Sequence, residues 1–447
     1  MKMRMKKIIG GFFCACCLLF SQMALRTEAA EPVPSPPEEN SLYATAAVLM
    51  DADSGRVLYG KNEDAVLAMA STTKIMTCIL VLENASLDET LTVSAYAASM
   101  PKVKLYIQKG EQYTIRDLLH SLMLESHNDT AVALAEYVGK QHLPDPLRDK
   151  DTAEYTAEES RQAVAAFAAL MNQRAAELGC ENTWFITPNG LDATESIQLS
   201  DGSTVQKEHC TTARELARIL SYCIKESPKS QDFLDITRTP NYSFSANSRS
   251  YSCVNHNAFL NMMDGALTGK TGFTNKAGYC YVGALTRDDR TFVVALLACG
   301  WPNNKGYKWA DTQKLMQYGI DNYFYRSFSA EDVAFDETLL SPIPVRNGQT
   351  SVLSATAYTA VSRGTGTDGG KWLEGLLLRP DEKIYVKYSA ENMLTAPVEQ
   401  GTVVGNIDYI VDDTVYKREN ILTKDSVEAI DLRWCAEQIW QRFLCIR

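Results

Sequence analysis

Histidine is scarce in this chain. The 447 residues hold 5, and none falls in an H-E-x-x-H pair that would seat zinc on one helix face. Beyond the first thirty residues no C-x-x-C pair occurs either, so the sequence gives little to a zinc hydrolase or a dithiol redox centre. Positive charge is in the minority: Lys+Arg 44 against Asp+Glu 55 gives a formal net charge of -11, which argues against non-specific nucleic-acid binding. No internal repeat is present. At this length two domains with appendages are expected rather than one core.

What is there begins with an address. Met1 to Lys7 is basic, Ile8 to Leu25 is mostly apolar, and Thr27-Glu28-Ala29 resembles a small-x-small processing site. Residues 1–29 are therefore expected to be a signal peptide. The alternative, an uncleaved anchor, is disfavoured by Ser21 and Gln22 inside the apolar stretch. The protein is then exported, to the outer face of the cytoplasmic membrane or the cell-wall space. Cys14, Cys16 and Cys17 leave with the signal, and the apolar core continues past them, unlike a lipid-attachment site. The other cysteines (Cys78, Cys180, Cys210, Cys223, Cys253, Cys280, Cys299, Cys435 and Cys445) are scattered and read as small buried hydrophobes.

Residues 30–40 form a proline-rich acidic linker, expected to be extended. Ala46 to Asn62 reads as a hairpin turning at Asp51-Ala52-Asp53-Ser54-Gly55. A helix should start near Ser71, since Ile75, Met76, Ile79, Leu80 and Leu82 recur as in a buried helix. A second helical pattern from Thr114 and a third from Ala131 to Val138 leave Ser126 and Asn128 on a tight connection between them. Residues 141–160 read as a polar surface insertion, and a helix from Ala163 to Leu178 should be closed by Gly179. A turn-rich loop (182–191) follows, then a helix capped by Thr211 or Thr212 and running to Ile224. Three strands are expected between Asp264 and Gly300, with Lys270-Thr271-Gly272 in the first. Trp309 to Phe324 reads as the last helix of a region spanning 41–327. From about Glu331 the composition turns to short β-like pieces, placed at 328–424 as a small β-rich domain.

The chemistry starts at Ser71 and Lys74. Three residues apart on a helix start, they share one face. A first-turn serine has a backbone N–H without an intrahelical partner, free to face a developing anion. The amine could take the hydroxyl proton if burial or another cation keeps it neutral.

Ser71-x-x-Lys74, Ser126-His127-Asn128 and Lys270-Thr271-Gly272, in that order, resemble the three active-site motifs of penicillin-binding proteins and serine β-lactamases. Asp51 to Leu58, Asn182-Thr183-x-Phe185 with Pro188-x-Gly190-Leu191, and Asp264-Gly265 through Thr274 narrow the likeness to D-alanyl-D-alanine carboxypeptidases. The resemblance spans about 42–325 and continues weakly through Ala396-Pro397-Val398-x-x-Gly401; the long insertion and His127 depart from the usual pattern. It implies an α+β fold, an antiparallel sheet with a helical cluster as in the transpeptidase domain, plus the small C-terminal β-rich domain. It implies Ser71 as nucleophile, Lys74 as general base, Ser126 as proton relay and Asn128 as a holder of Lys74 and the substrate amide. Lys270 and Thr271 would bind the terminal carboxylate, and Gly272 would let substrate backbone lie close. The oxyanion hole would be the backbone N–H groups of Ser71 and Phe273. Peptidoglycan stem peptides are the implied substrate and β-lactams the implied acylating inhibitors, with no metal or organic cofactor.

Residues 425–447 read as a helix with a broad apolar face. Its charges exclude a membrane span, and tryptophans beside arginines suit a helix lying on a membrane surface, the alternative being packing on the β domain or another chain. The expected activity is removal of the terminal D-alanine. Rivals are a cross-link endopeptidase with the same motifs and a penicillin-binding sensor that acylates without turnover. A β-lactamase is disfavoured, because no convincing E-x-x-L-N segment supplies a deacylating base.

Overall fold

The computed structural model describes residues 35–198, 201–351, 354–364 and 373–444. The expected signal peptide, Cys445 and residues 30–34 of the linker lie outside the described residues. Of that linker, Glu39–Ser41 forms a 3-10 turn rather than extended chain.

Hydrophobic runs build a five-stranded antiparallel sheet in the order Val57–Lys61, Ala46–Asp51, Arg290–Leu297, Gly278–Arg287, Ala266–Thr274. The N-terminal hairpin thus joins three strands more than two hundred residues away, with Val48 opposite Ala295 and Val282 opposite both Ala295 and Lys270. The Arg290–Leu297 strand is buried throughout, because both faces of the sheet are covered. On one face Val48, Val282, Val293 and Ala295 meet a cluster of helices. On the other, Leu49, Tyr281, Phe292 and Leu296 pack against the helix Tyr307–Asn322. The architecture is α+β.

The helix Lys74–Asn84 runs through the helical cluster, and every residue from Lys74 to Leu82 is buried. A helix apolar all round has no solvent face, so its one lysine lies inside. The expected single helix after Thr114 is α-helical over Ile115–His120 and widens to a π-turn at Ser121–Glu125. The helix expected from Ala163 begins at Ala157, where Thr156 and Glu159 form a reciprocal capping box. The insertion before it folds back onto the body: Thr152 and Tyr155 are buried, and Thr152 Oγ1 donates to the Thr92 carbonyl.

The β-rich region carries a four-stranded sheet (Val361–Arg363, Thr414–Thr423, Val403–Val411, Tyr385–Ala390) around Phe328, Tyr409 and Ile421. A two-stranded ladder, Phe324–Ser327 with Gly375–Leu378, crosses the expected 327/328 boundary. The last helix is described over Leu432–Leu444 and starts at Leu432 rather than at Asp425. Val427 instead bridges Val398 and is buried among Val345, Ala357 and Val398, while Asp431 caps the helix by accepting from Trp434 N at 2.7 Å. Cys78, Cys180, Cys223, Cys253, Cys280 and Cys299 are buried free thiols; Cys210 and Cys435 are partly exposed. Among the described residues no helix is long and apolar enough to cross a membrane.

Candidate active site

The chain enters the site through a strained turn. Ala70 has φ +49, and the 3-10 turn Ala70–Thr73 runs directly into the helix Lys74–Asn84. A non-glycine residue in that region costs about 1–3 kcal/mol, so surrounding structure must hold it. Gly190 (φ +82) does so by close approach: a Cβ there would lie 2.0 Å from the Ala70 carbonyl oxygen. Gly272 matters for the same reason, since its Cβ would fall 2.9 Å from Ser71 N and 3.0 Å from Thr72 N. The strand Ala266–Thr274, an edge of the sheet, therefore lies against the amide at which an oxyanion would form.

Lys74 is fully buried, with its Nζ 2.8 Å from Ser71 Oγ, 3.0 Å from Asn128 Oδ1 and 2.6 Å from the Asn189 carbonyl oxygen. Two of these three are carbonyl oxygens that can only accept. Once deprotonated, the amine can keep these two acceptors with its remaining N–H groups and offer its lone pair to the Ser71 hydroxyl 2.8 Å away, the arrangement a general base needs. Burial, then the charge of Lys270, hold Lys74 well below the usual lysine range, with Asp129 opposing.

Ser126 sits at φ +65 between the π-turn and the helix Asn128–Gly139. Asn128 holds Lys74 through Oδ1, while its Nδ2 donates to the carbonyls of Pro101 and Lys102 at 3.3 and 3.2 Å. Asp129 fastens the same loop by accepting from Leu105 N and Tyr106 N at 2.9 and 2.8 Å. His127 is packed inside, its Nδ1 2.7 Å from Ser121 Oγ. Lys270 is buried, and burial lowers its pKa to about 7; its Nζ donates to the Thr271 carbonyl at 3.0 Å.

Ser71, Ser126, Asn128, Lys270, Thr271 and Gly272 line one cleft of about 500 Å³, with Phe273 beside them and Lys74 beneath. The insertion 141–160 adds no described residue to its lining. Sequence reasoning did not single out Asn189, Asp129 or Lys308. Lys308 lines the cleft mouth, largely buried against the rings of Tyr279 and Trp309 at 4.8 and 4.7 Å, and nothing in its local sequence signals that position. His256 and Asn257 form cleft wall, while Asn255 ties back to the Thr237 carbonyl at 2.8 Å and His256 pairs with Glu125 at 2.7 Å.

A sheet flanked by helices, with a buried amine against a turn-borne serine, defines a serine acyl-transfer fold of the penicillin-binding type. Residues 31–142 and 153–299 match the D-alanyl-D-alanine carboxypeptidase family, and the chain belongs to that family. The gap falls within the insertion. Residues 380–429 match the C-terminal domain of penicillin-binding protein 5. The chain is 24% identical over 391 residues to D-alanyl-D-alanine carboxypeptidase DacF of Bacillus subtilis, covering 86% of each chain. It is 30% identical over 275 residues to a D-alanyl-D-alanine endopeptidase of Pseudomonas aeruginosa, covering 59% of this chain and 75% of that one. Penicillin binding protein 5 from Haemophilus influenzae shares the fold at TM-score 0.61 and 23% identity, over 88% of this chain and 99% of that one.

Proposed function

We propose that Ser71 is the nucleophile through which this enzyme, a serine-type D-alanyl-D-alanine carboxypeptidase, releases the terminal D-alanine of peptidoglycan stem peptides. The observation that carries the assignment is the buried Lys74 amine, held by the carbonyl oxygens of Asn128 and Asn189 with its Nζ 2.8 Å from Ser71 Oγ. Lys74 takes the hydroxyl proton as Ser71 attacks the D-alanyl carbonyl. The oxyanion is received by the N–H groups of Ser71 and Phe273, a contribution worth roughly 10²–10³ in rate per donor. Ser126 passes a proton to the leaving amine, and Asn128 keeps Lys74 in place. Lys270, assisted by Thr271, takes the terminal carboxylate, and Gly272 leaves room for the peptide against the strand. Water then frees the acyl-enzyme. A β-lactam acylates the same serine.

We further propose that the protein is exported and that its C-terminal helix rests on a membrane surface. Support comes from the basic-then-apolar N-terminus and from the exposure of Ile439, Trp440 and Phe443 on Leu432–Leu444.

D-alanine release from diacetyl-Lys-D-Ala-D-Ala by the mature protein, set beside Ser71→Ala, tests the reading. The expected result is release that vanishes in the variant. Labelling of Ser71 by a fluorescent penicillin without release would move the reading to a cross-link endopeptidase or a sensor. Neither release nor labelling would remove it.

A further inference from the structure

His209 lies outside the three motifs and does not line the cleft, yet it is buried directly behind the nucleophile turn. Its Nε2 is 2.8 Å from Thr73 Oγ1, and Thr73 Oγ1 in turn donates to the Ala70 carbonyl at 2.8 Å. Its Nδ1 accepts from Ile186 N at 3.0 Å and, more weakly, from Thr187 N at 3.4 Å. These contacts settle the proton. Nδ1 faces backbone donors and must be bare, so Nε2 carries the hydrogen and donates to Thr73, whose own single hydrogen goes to Ala70. The chain of hydrogen bonds is continuous from Ile186 N through the ring and Thr73 to the carbonyl of the left-handed residue preceding Ser71.

The same ring ties down the other side of the nucleophile. Ile186 and Thr187 open the loop that brings the Asn189 carbonyl within 2.6 Å of Lys74 Nζ, and Gly190 against Ala70. His209 is itself pinned by its own N–H to the Ala193 carbonyl, and the next two residues bridge Trp184 and Leu67. One imidazole thus couples the turn that carries Ser71 to the carbonyl that orients Lys74.

We infer that His209, as its neutral Nε2–H tautomer, is a positioning residue that acts through Thr73 to hold the Ser71 turn and the Asn189 carbonyl in the attacking arrangement. It is not a base in this role: its Nε2 is committed to Thr73, and no hydrogen bond joins it to Ser71, Lys74 or Ser126. Burial, and Lys74 whenever it carries a proton, push its pKa down to about 3, which keeps the ring neutral at the pH where Lys74 acts as a base.

The inference rests on the carboxypeptidase reading, and the test separates the two. Thr73→Val removes the hydroxyl at constant shape, Thr73→Ser keeps it, and His209→Gln removes the ring while retaining an amide. Each is assayed for Ser71 acylation by a fluorescent penicillin, for kcat and KM of D-alanine release, for the pH profile of kcat/KM, and for thermal midpoint. Misplacing the turn should lower acylation and kcat roughly 10- to 100-fold in Thr73→Val and in His209→Gln, with KM little changed. Thr73→Ser should recover most of the loss. The double variant should be no slower than its slower parent, since both break one chain of contacts. The pH at half-maximal rate should not move.

Wild-type acylation rates in both variants, with only a lower thermal midpoint, would reduce the network to packing and overturn the inference. A His209→Gln that acylates normally but retains its penicilloyl adduct, or shifts the pH profile, would overturn it in favour of a base. An active wild type beside unaffected variants defeats this inference alone. A wild type that neither labels nor releases D-alanine defeats the carboxypeptidase reading and this inference with it.

Discussion

Two buried lysines face opposite demands in one cleft. In the proposed mechanism Lys74 must be neutral to take a proton, and burial with the nearby charge of Lys270 lowers its pKa accordingly. Lys270 must be charged to hold a carboxylate, yet burial lowers its pKa to about 7, so in the empty site the charge is present below that pH and lost above it. Because kcat/KM reports the free enzyme and kcat the complex, the two should separate. kcat/KM for D-alanine release should fall as pH rises through about 7, while kcat holds to higher pH, since the bound carboxylate favours the ammonium. Lys270→Arg should move the falling limb of kcat/KM out of range, because a guanidinium stays charged, at some loss of fit. A wild-type kcat/KM that stays level from neutral into alkaline pH would remove Lys270 from the carboxylate-binding role. Residues such as these are legible in the sequence because each motif is local to a few positions. Asn189, His209 and Lys308 are not, because tertiary folding alone brings them to Lys74, Thr73 and the cleft mouth.

At the scale of elements, the C-terminal helix Leu432–Leu444 shows what an apolar face without a partner implies. Ile439, Trp440 and Phe443 are 61%, 68% and 77% exposed, and Arg433 pairs with Glu437 at 3.0 Å on the same helix. Burying a large side chain yields about 1.5–3 kcal/mol, so two aromatic side chains together can change membrane partitioning more than tenfold. The protein should co-sediment with anionic lipid vesicles, and Trp440→Ser with Phe443→Ser should lower that binding roughly tenfold or more. Sedimentation unchanged by the substitutions, or a self-association that they abolish, would assign the face to another role. The apolar pattern alone places the helix's start too early, because Val427 and Ile430 continue the spacing. Asp431, three residues before Trp434, is the local sign of the true start. Likewise Thr156-x-x-Glu159 announces the helix at Ala157. The hairpin Asn241–Ala246 with Arg249–Val254 is inconspicuous in the sequence although Tyr242 and Phe244 alternate with serines. Its turn, Asn247-Ser248 with φ +52 and +61, lacks the glycine that makes such turns conspicuous. The Ala46–Lys61 hairpin and the Lys74–Asn84 helix were legible because turn chemistry and apolar period agree there.

At the scale of the whole molecule, one arginine ties the catalytic region to the β-rich region beside the ladder of Phe324–Ser327 with Gly375–Leu378. Arg56 follows the turn of the first hairpin, and its guanidinium meets Glu382 in a two-point contact at 2.8 and 3.0 Å. It also donates to the Leu377 carbonyl at 2.7 Å and lies 3.2 Å from Asp412. Arg56 and Glu382 are only 6% and 8% exposed, so both charges are desolvated and each depends on the other. Burial would raise the Glu382 pKa, but hydrogen bonds from the Arg56 side chain and the Arg379 backbone outweigh it and hold the carboxyl below its usual value. A depressed carboxylate contributes stability that is present above its unfolded pKa of about 4.3 and is lost as pH falls through the folded value. Arg56→Ala leaves a buried carboxylate facing the Arg379 backbone N–H at 2.9 Å and its side chain at 3.6 Å. It should cost about 3–5 kcal/mol at neutral pH, read as a lower thermal midpoint, with kcat and KM near wild type because the cleft lies elsewhere. The gap between wild type and variant should narrow as pH falls from neutral, since the variant's unpaired buried carboxylate takes a proton first and the wild type's follows only below its usual carboxylate range. Arg56→Met with Glu382→Leu should recover much of the loss, since replacing both partners by apolar groups removes the desolvation cost that Arg56→Ala leaves behind. A gap that does not change with pH would locate the loss in packing around Leu377 rather than in the ion pair. A double variant no more stable than Arg56→Ala would do the same.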